Sequence, residues 1–259
     1  MRIKLMINYE KDGAVEAKKR VEALSDQVEI VEENPDLIVV MGGDGAMLNA
    51  ARHYVDSEIP LFGINLGGLG FLTDVSVDRI EEAIGLLEKG EYQIEERIMV
   101  SVRIGEKVMK GLNDIVIFTG TPGRAIELSA WVEDEYICRF IADGLIIATP
   151  TGSTAYSLAC GGPIIFPTTE NLVITPISAH TLSVRPIVVP AENRIRVRIG
   201  QKGRKAWLIG DGQEKIGLKV GDEVTIFKYP KSVRLIKLKE TRFTETLRSK
   251  MRWGGRENA

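Results

Sequence analysis

The sequence predicts an α/β N-terminal domain over residues 1–92 and a C-terminal all-β domain, β-rich and antiparallel, over 93–237, with a terminal helix over 238–259 that packs back on the first. Three observations carry this. Apolar runs alternate with helix-spaced segments up to about residue 92. Beyond that point the apolar residues recur every second position. Helical spacing then returns near the C-terminus. Strand–helix alternation builds a parallel sheet covered by helices, whereas period-two runs between turn formers build antiparallel sheets.

The elements follow in order. Ile3 to Ile7 is an apolar strand, and Val15, Val21 and Leu24 recur at helical spacing. Val28 to Val31 and Leu37 to Met41 are further strands, Ala46 to Tyr54 a helix, and Leu61 to Ile64 a buried strand after Pro60. Ile80, Ala83, Ile84, Leu86 and Leu87 mark a helix that stops at Gly90. In the second domain Met99 to Ile104, Ile126 to Val132, Ile195 to Ile199 and Val224 to Ile226 alternate. Asp134-Glu135, Gly200, Gly203 and Gly221-Asp222 supply turns between many of these runs. Phe243, Leu247 and Met251 form one apolar stripe on a basic helix that docks on another element and ends at Gly254-Gly255.

Composition bounds the function. The chain has 259 residues, 44% of them hydrophobic, and a formal net charge of -2, so no global basic field points to nucleic acid. No apolar stretch reaches the roughly 18 residues of a membrane span, and the charged N-terminal strand lacks the apolar core of a signal peptide. Cys138 and Cys160 show no metal spacing and read as reduced thiols. Two histidines, His53 and His180, are too few for a histidine metal site. These features predict a cytoplasmic globular protein.

Five segments can carry chemistry. Gly42-Gly43-Asp44-Gly45 follows an unbroken apolar strand and opens a helix. Its glycines expose backbone N–H groups at a helix N-terminus, where phosphate binds readily. The carboxylate of Asp44 points at the same place, so it must hold a metal or accept a proton. A tight turn with a surface acid has the same composition. Neither G-x-x-x-x-G-K-[ST] nor a complete G-x-G-x-x-G occurs after this strand. The second segment, Gly63 to Asp74, has four glycines in the eight residues from Gly63 to Gly70, at a strand's C-terminal end where open α/β sheets bind ligands. Asn113-Asp114 pairs an amide with a carboxylate, suited to ribose hydroxyls or a base edge and equally to an Asx turn. The block Asp143 to Pro163 surrounds Tyr156 with small and hydroxylated residues, so a planar ligand can reach the backbone while Tyr156 stacks on a base. Gly210-Asp211-Gly212-Gln213 is first a hairpin signal.

Together and in this order the five segments resemble the NAD kinase family over nearly the whole chain. Gly42 to Gly45 alone is shared with diacylglycerol, sphingosine and phosphofructokinase relatives, but the block around Tyr156 is far more specific. The resemblance implies a Rossmann-like N-terminal domain and a β-rich C-terminal one. It implies ATP- and divalent-metal-dependent phosphorylation of the adenosine ribose 2′-hydroxyl of NAD, with Asp44 as catalytic base. It places Gly42, Gly43, Gly45, Phe71, Asn113, Asp114, Arg124, Asp143, Thr154, Ala155, Tyr156, Ser157 and Gln213 around the substrates. Mg²⁺ then arrives with ATP, because the sequence holds no dedicated carboxylate cage. The partners implied are NAD, ATP and further copies of the chain in a homodimer or homotetramer, with no nucleic acid and no membrane. Three positions depart from the family pattern: Ala46 and Asn49 stand where threonine and a basic residue are common, and Ile141 where some members carry arginine. The alternatives are a lipid or sugar kinase sharing the Gly-Gly-Asp-Gly turn, and a non-catalytic NAD(P) sensor.

Overall fold

The computed structural model describes residues 1–68, 70–73, 75–120, 124–201, 205–238 and 242–251. Asp74, Gly203 and Gly254-Gly255 of the sequence analysis lie outside them, as does Leu69 within the segment Gly63 to Asp74. The chain divides into one compact unit made of Met1–Glu96 with the chain from Val233 onward, and a second made of Arg97–Ser232.

Its elements in chain order begin with β1 (Arg2–Ile7), α1 (Ala14–Glu22), β2 (Glu29–Ile30), β3 (Leu37–Gly42), α2 (Asp44–Tyr54), β4 (Leu61–Asn65), β5 (Val75–Ser76), α3 (Ile80–Glu88) and β6 (Tyr92–Arg97). There follow β7 (Val100–Ile104), β8 (Lys107–Gly111), β9 (Asp114–Thr119), β10 (Ile126–Val132), β11 (Glu135–Ala142), β12 (Gly144–Ala148) and α4 (Tyr156–Ala159). The last are β13 (Asn171–Ile177), β14 (Ile187–Pro190), β15 (Ile195–Ile199), β16 (Ala206–Gly210), β17 (Glu214–Leu218), β18 (Glu223–Lys228), β19 (Val233–Leu238) and α5 (Phe243–Met251).

In the first unit the sheet order is β2-β1-β3-β4-β19-β6, with β5 on β4, and β1, β3, β4 and β19 run parallel to their neighbours along the path from β1 to β19. All six residues of β3 are buried. A strand covered on both faces needs an uninterrupted apolar run, and Leu37 to Met41 supplies one. Helix α1 turns Val21 inward as its spacing predicts, but not Val15. It buries Ala14, Ala17 and Val21, while Val15 is 58% exposed. The small alanines let the helix lie close to its neighbours. Helix α3 ends where Gly90, at φ +70°, donates to Leu87 O while Glu91 donates to Leu86 O. This pair of bonds satisfies the last carbonyls of the helix and requires a residue tolerant of left-handed geometry. Strand β19, expected within 93–237, pairs instead with β4 through Leu235 and Leu61.

The second unit has two six-stranded sheets, β11-β10-β15-β18-β7-β8 and β14-β13-β12-β9-β16-β17. Every neighbouring strand pair within them is antiparallel. Residues from both sheets, among them Val102, Leu128 and Val197 from one and Ile115, Leu145 and Leu208 from the other, share one core. The second sheet is apolar on both faces. Ile115 and Ile117 of β9 enter the shared core, while Val116 sits in a separate cluster with Ile146 and Val173, against which Phe118 packs. Period-two alternation therefore carries Asp114, Val116 and Phe118 to the face away from the sandwich.

Candidate active site

The first unit positions Asp44. Gly43 caps α2 in an extended conformation, so Asp44 is its first helical residue, at the positive end of the helix dipole. A β-carbon on Gly42 would lie 2.6 Å from the Ala46 β-carbon, so the turn closes only around glycine. The segment after β4 folds back over the carboxylate. Phe71 N–H donates to Oδ2 and Leu72 N–H to Oδ1, each at 3.0 Å. Each carboxylate oxygen keeps a lone pair for a ligand. Any side chain at Gly70 would collide with Asp44 Oδ1 and Thr73 Oγ1. The buried Thr73 hydroxyl beside that space has no hydrogen-bond partner among the described residues.

Helix α5 completes this surroundings. Lys250 Nζ lies 4.0 Å from Asp44 Oδ2 and 4.7 Å from the centroid of the Phe71 ring, and Phe243 packs on Phe71 at 6.4 Å between centroids. Docking of the helix fits the apolar stripe in its sequence. The cation beside Asp44 did not stand out there, because nothing local distinguishes Lys250 from other surface lysines.

The second unit holds a cavity of about 340 Å³ on the free face of the second sheet, lined by Asn113, Asp114, Val116, Phe118, Ala155, Tyr156, Ile209, Asp211 and Gly212. Apolar walls with a few convergent polar groups are the usual build of a small-molecule site, and this volume is at the low end of the usual range. Four of the expected residues, Asn113, Asp114, Ala155 and Tyr156, meet here. Asp114 is 5% exposed, and burial, followed by the charge of Asp211, pushes its carboxyl up to about 7. Burial likewise raises the Tyr156 phenol, with Cys160, Asp143 and Asp114 adding in that order.

The hydroxyls of the Tyr156 block are largely spent on its own architecture. Thr149 N–H donates to Asn113 O at 2.8 Å, and Thr149 Oγ1 accepts from Gly152 N–H at 3.1 Å. Gly152 has no room for a side chain against the Asn113 carbonyl. Ser153 Oγ donates to Pro150 O at 2.6 Å and accepts from Ile165 N–H at 3.0 Å. Ser157 is fully buried, its hydroxyl 2.8 Å from that of Thr175. The block thus has a structural purpose that its composition hides: it locks the 113–114 turn to β12 and aims Ala155 and Tyr156 at the cavity.

The remaining expected residues lie elsewhere. Asp143 precedes β12, with its N–H on Ile177 O and its carbonyl accepting from Thr119. Thr154 Oγ1 donates to Thr151 O at 3.3 Å. Arg124 is exposed, its carbonyl accepting from Thr119 Oγ1 at 2.6 Å, and Gln213 and Gly45 are also exposed. Among the described residues no three or more His, Cys, Asp or Glu side chains group to hold a metal. Asp44, a single carboxylate already accepting two amides, fits a cation that arrives on substrate phosphates and does not fit a resident one.

An α/β unit that presents a carboxylate at a glycine turn and a β unit that presents a pocket with convergent polar groups have the features of a nucleotide-dependent kinase outside the Walker class. Comparison with known proteins places it further. Residues 5–92 match the ATP-NAD kinase N-terminal domain and residues 112–238 the ATP-NAD kinase C-terminal domain. An NAD kinase of Geotalea daltonii is 42% identical over 87% of this chain and 81% of its own, and one of Carboxydothermus hydrogenoformans 41% identical over 88% and 85%. An Archaeoglobus fulgidus NAD kinase crystallised in complex with ATP superposes with a TM-score of 0.79 at 31% identity, covering 97% of this chain and 99% of that one. Yeast NADH kinase complexed with NADH shares the fold, with a TM-score of 0.86 at 22% identity over 100% of this chain and 89% of that one. The chain belongs to the NAD kinase family.

Proposed function

We propose that this enzyme transfers the γ-phosphoryl group of ATP to the 2′-hydroxyl of the adenosine ribose of NAD, giving NADP. The observation that carries the mechanism is the Asp44 carboxylate, held by the Phe71 and Leu72 amides at the start of α2. Family membership supplies the substrates, and the Archaeoglobus relative bound to ATP supports the donor.

A carboxylate is far too weak a base to create an alkoxide before reaction. In a loose phosphoryl-transfer transition state the hydroxyl proton leaves late, so Asp44 orients the hydroxyl and takes its proton as the new P–O bond forms and the bond to the β,γ-bridging oxygen breaks, releasing ADP. Gly42, Gly43 and Gly45 leave the helix end open to phosphate. A divalent cation, Mg²⁺ in this proposal, supplies charge neutralisation on the phosphates. Asn113 and Asp114 hold the dinucleotide through sugar hydroxyls or a base edge, and Tyr156 stacks on a base above Ala155. Phe71, Arg124, Asp143, Thr154, Ser157 and Gln213 belong to the same proposal, with Ser157 acting by fixing the shape of the wall. The reaction takes place in the cytoplasm, in keeping with two free cysteines, and in a homodimer or homotetramer.

Purified protein incubated with Mg-ATP and NAD, followed by an NADP-specific dehydrogenase, should generate signal that depends on both substrates. No NADP, but phosphate transfer to diacylglycerol or a sugar, overturns the reading in favour of the broader kinase class. Tight NADP binding without turnover overturns it in favour of a sensor.

A further inference from the structure

The turn after β16 carries a carboxylate that neither the proposed chemistry nor the family resemblance uses. Asp211 is only 8% exposed, and it sits at φ +50° in the left-handed region. Its Oδ2 accepts from Leu112 N–H at 3.0 Å, and its Oδ1 accepts from Asn113 N–H at 2.8 Å and Asp114 N–H at 3.2 Å. The Asp211 N–H in turn donates to Asp114 O at 3.1 Å. Three successive amides on one carboxylate make a charge-assisted clamp. Gly111 gives it room, since a β-carbon there would lie 3.0 Å from Asp211 Oδ1 and 2.5 Å from the Asp114 carbonyl oxygen. The far side of the same turn is held by Thr149 and Gly152.

We propose that Asp211 is the positioning residue of the dinucleotide pocket: by clamping the amides of Leu112, Asn113 and Asp114 it fixes the angle at which Asn113 and Asp114 meet NAD. This rests on the reading that those two residues bind NAD. Asp211 acts through them and need not touch the ligand. The clamp has an electrostatic consequence. Burial pushes the Asp114 carboxyl up to about 7, and the clamp adds to this by holding a second carboxylate next to it. The Asp114 charge also bears on Tyr156 of α4, whose phenol it raises after burial, Cys160 and Asp143.

Asp211→Asn tests this in the full-length enzyme. Asparagine tolerates left-handed geometry and keeps one acceptor oxygen, but it loses the charge and turns an NH₂ toward an amide. The expected result is a KM for NAD raised about tenfold or more with kcat and the KM for ATP changed less than about threefold. The midpoint of the pH dependence of NAD affinity should also move to lower pH, because repulsion on Asp114 is relieved. Amide hydrogen exchange at 112–114 should accelerate selectively. Unchanged NAD affinity, or equal losses for both substrates with no shift of the midpoint, overturns the positioning role and leaves a structural one. The underlying reading fails separately: if Asn113→Ala and Asp114→Asn leave the KM for NAD unaltered, the turn does not bind NAD and the clamp has nothing to position.

Discussion

Asp44 and Gly70 form a pair in which each side chain, or its absence, explains the other. The carboxylate occupies the place where a Gly70 side chain would be, and it is oriented by the two amides that follow Gly70. Asp44→Asn keeps the shape but can accept no proton at the hydroxyl, so NAD should still bind while kcat falls on the order of a hundredfold or more. Calorimetric NAD binding beside steady-state turnover measures both, and near-normal turnover would remove Asp44 from the chemistry. Gly70→Ala leaves the acid in place and spoils its aim. The methyl group must displace the carboxylate or the 70–73 backbone, so turnover should drop at least about tenfold, with a stability loss of about 1–3 kcal/mol. Kinetics and denaturant melts of the same preparation distinguish misalignment from unfolding.

At the scale of elements, α5 supplies what the glycine turn lacks. Its buried Leu247 and the contact of Phe243 with Phe71 dock the helix, and Lys250 then stands beside Asp44. That ion pair is partly exposed and contributes little to folding. A cation there gains importance when phosphates arrive. Lys250→Met should leave the melting temperature nearly unchanged yet lower kcat/KM about tenfold or more; unaltered kinetics would reduce Lys250 to a surface contact. This element also shows what sequence can and cannot convey. Leu37 to Met41 announced a buried strand because its environment is written in its own residues, and Gly42 to Gly45 announced the turn. Strand β19 carries no local mark of the sheet it joins, because its partner Leu61 lies far back in the chain. In α1 the spacing reads Val21 correctly but not Val15, because the smaller Ala14 and Ala17 fit close packing. Asn113, Asp114 and Tyr156 were legible as polar groups in a setting of small residues. Asp211 was not, since its three amide partners lie nearly a hundred positions earlier and an Asp-Gly turn has an ordinary use.

For the molecule as a whole, the pocket imposes a cost that pH exposes. Asp114 is ionised freely in the unfolded chain, near the ordinary 3.8, but holds its proton up to about 7 when folded. Between those values the native state binds more protons than the unfolded state, so stability falls as pH rises through this window and is level above it. A difference of about three pKa units corresponds to on the order of 4 kcal/mol. The carboxylates of Glu81 and Glu82 are depressed by Arg20 and Arg79 and work in the opposite sense. They are exposed, and solvent screens their contribution. Denaturant midpoints should therefore decline from about pH 5 to about pH 7.5 in the wild type. Asp114→Asn should flatten that slope and be the more stable form at the upper end. A wild-type slope that persists in the variant would assign the titration to another group. A stability gain in the variant accompanied by a raised KM for NAD would identify the buried carboxylate as a group kept for binding at the expense of the fold.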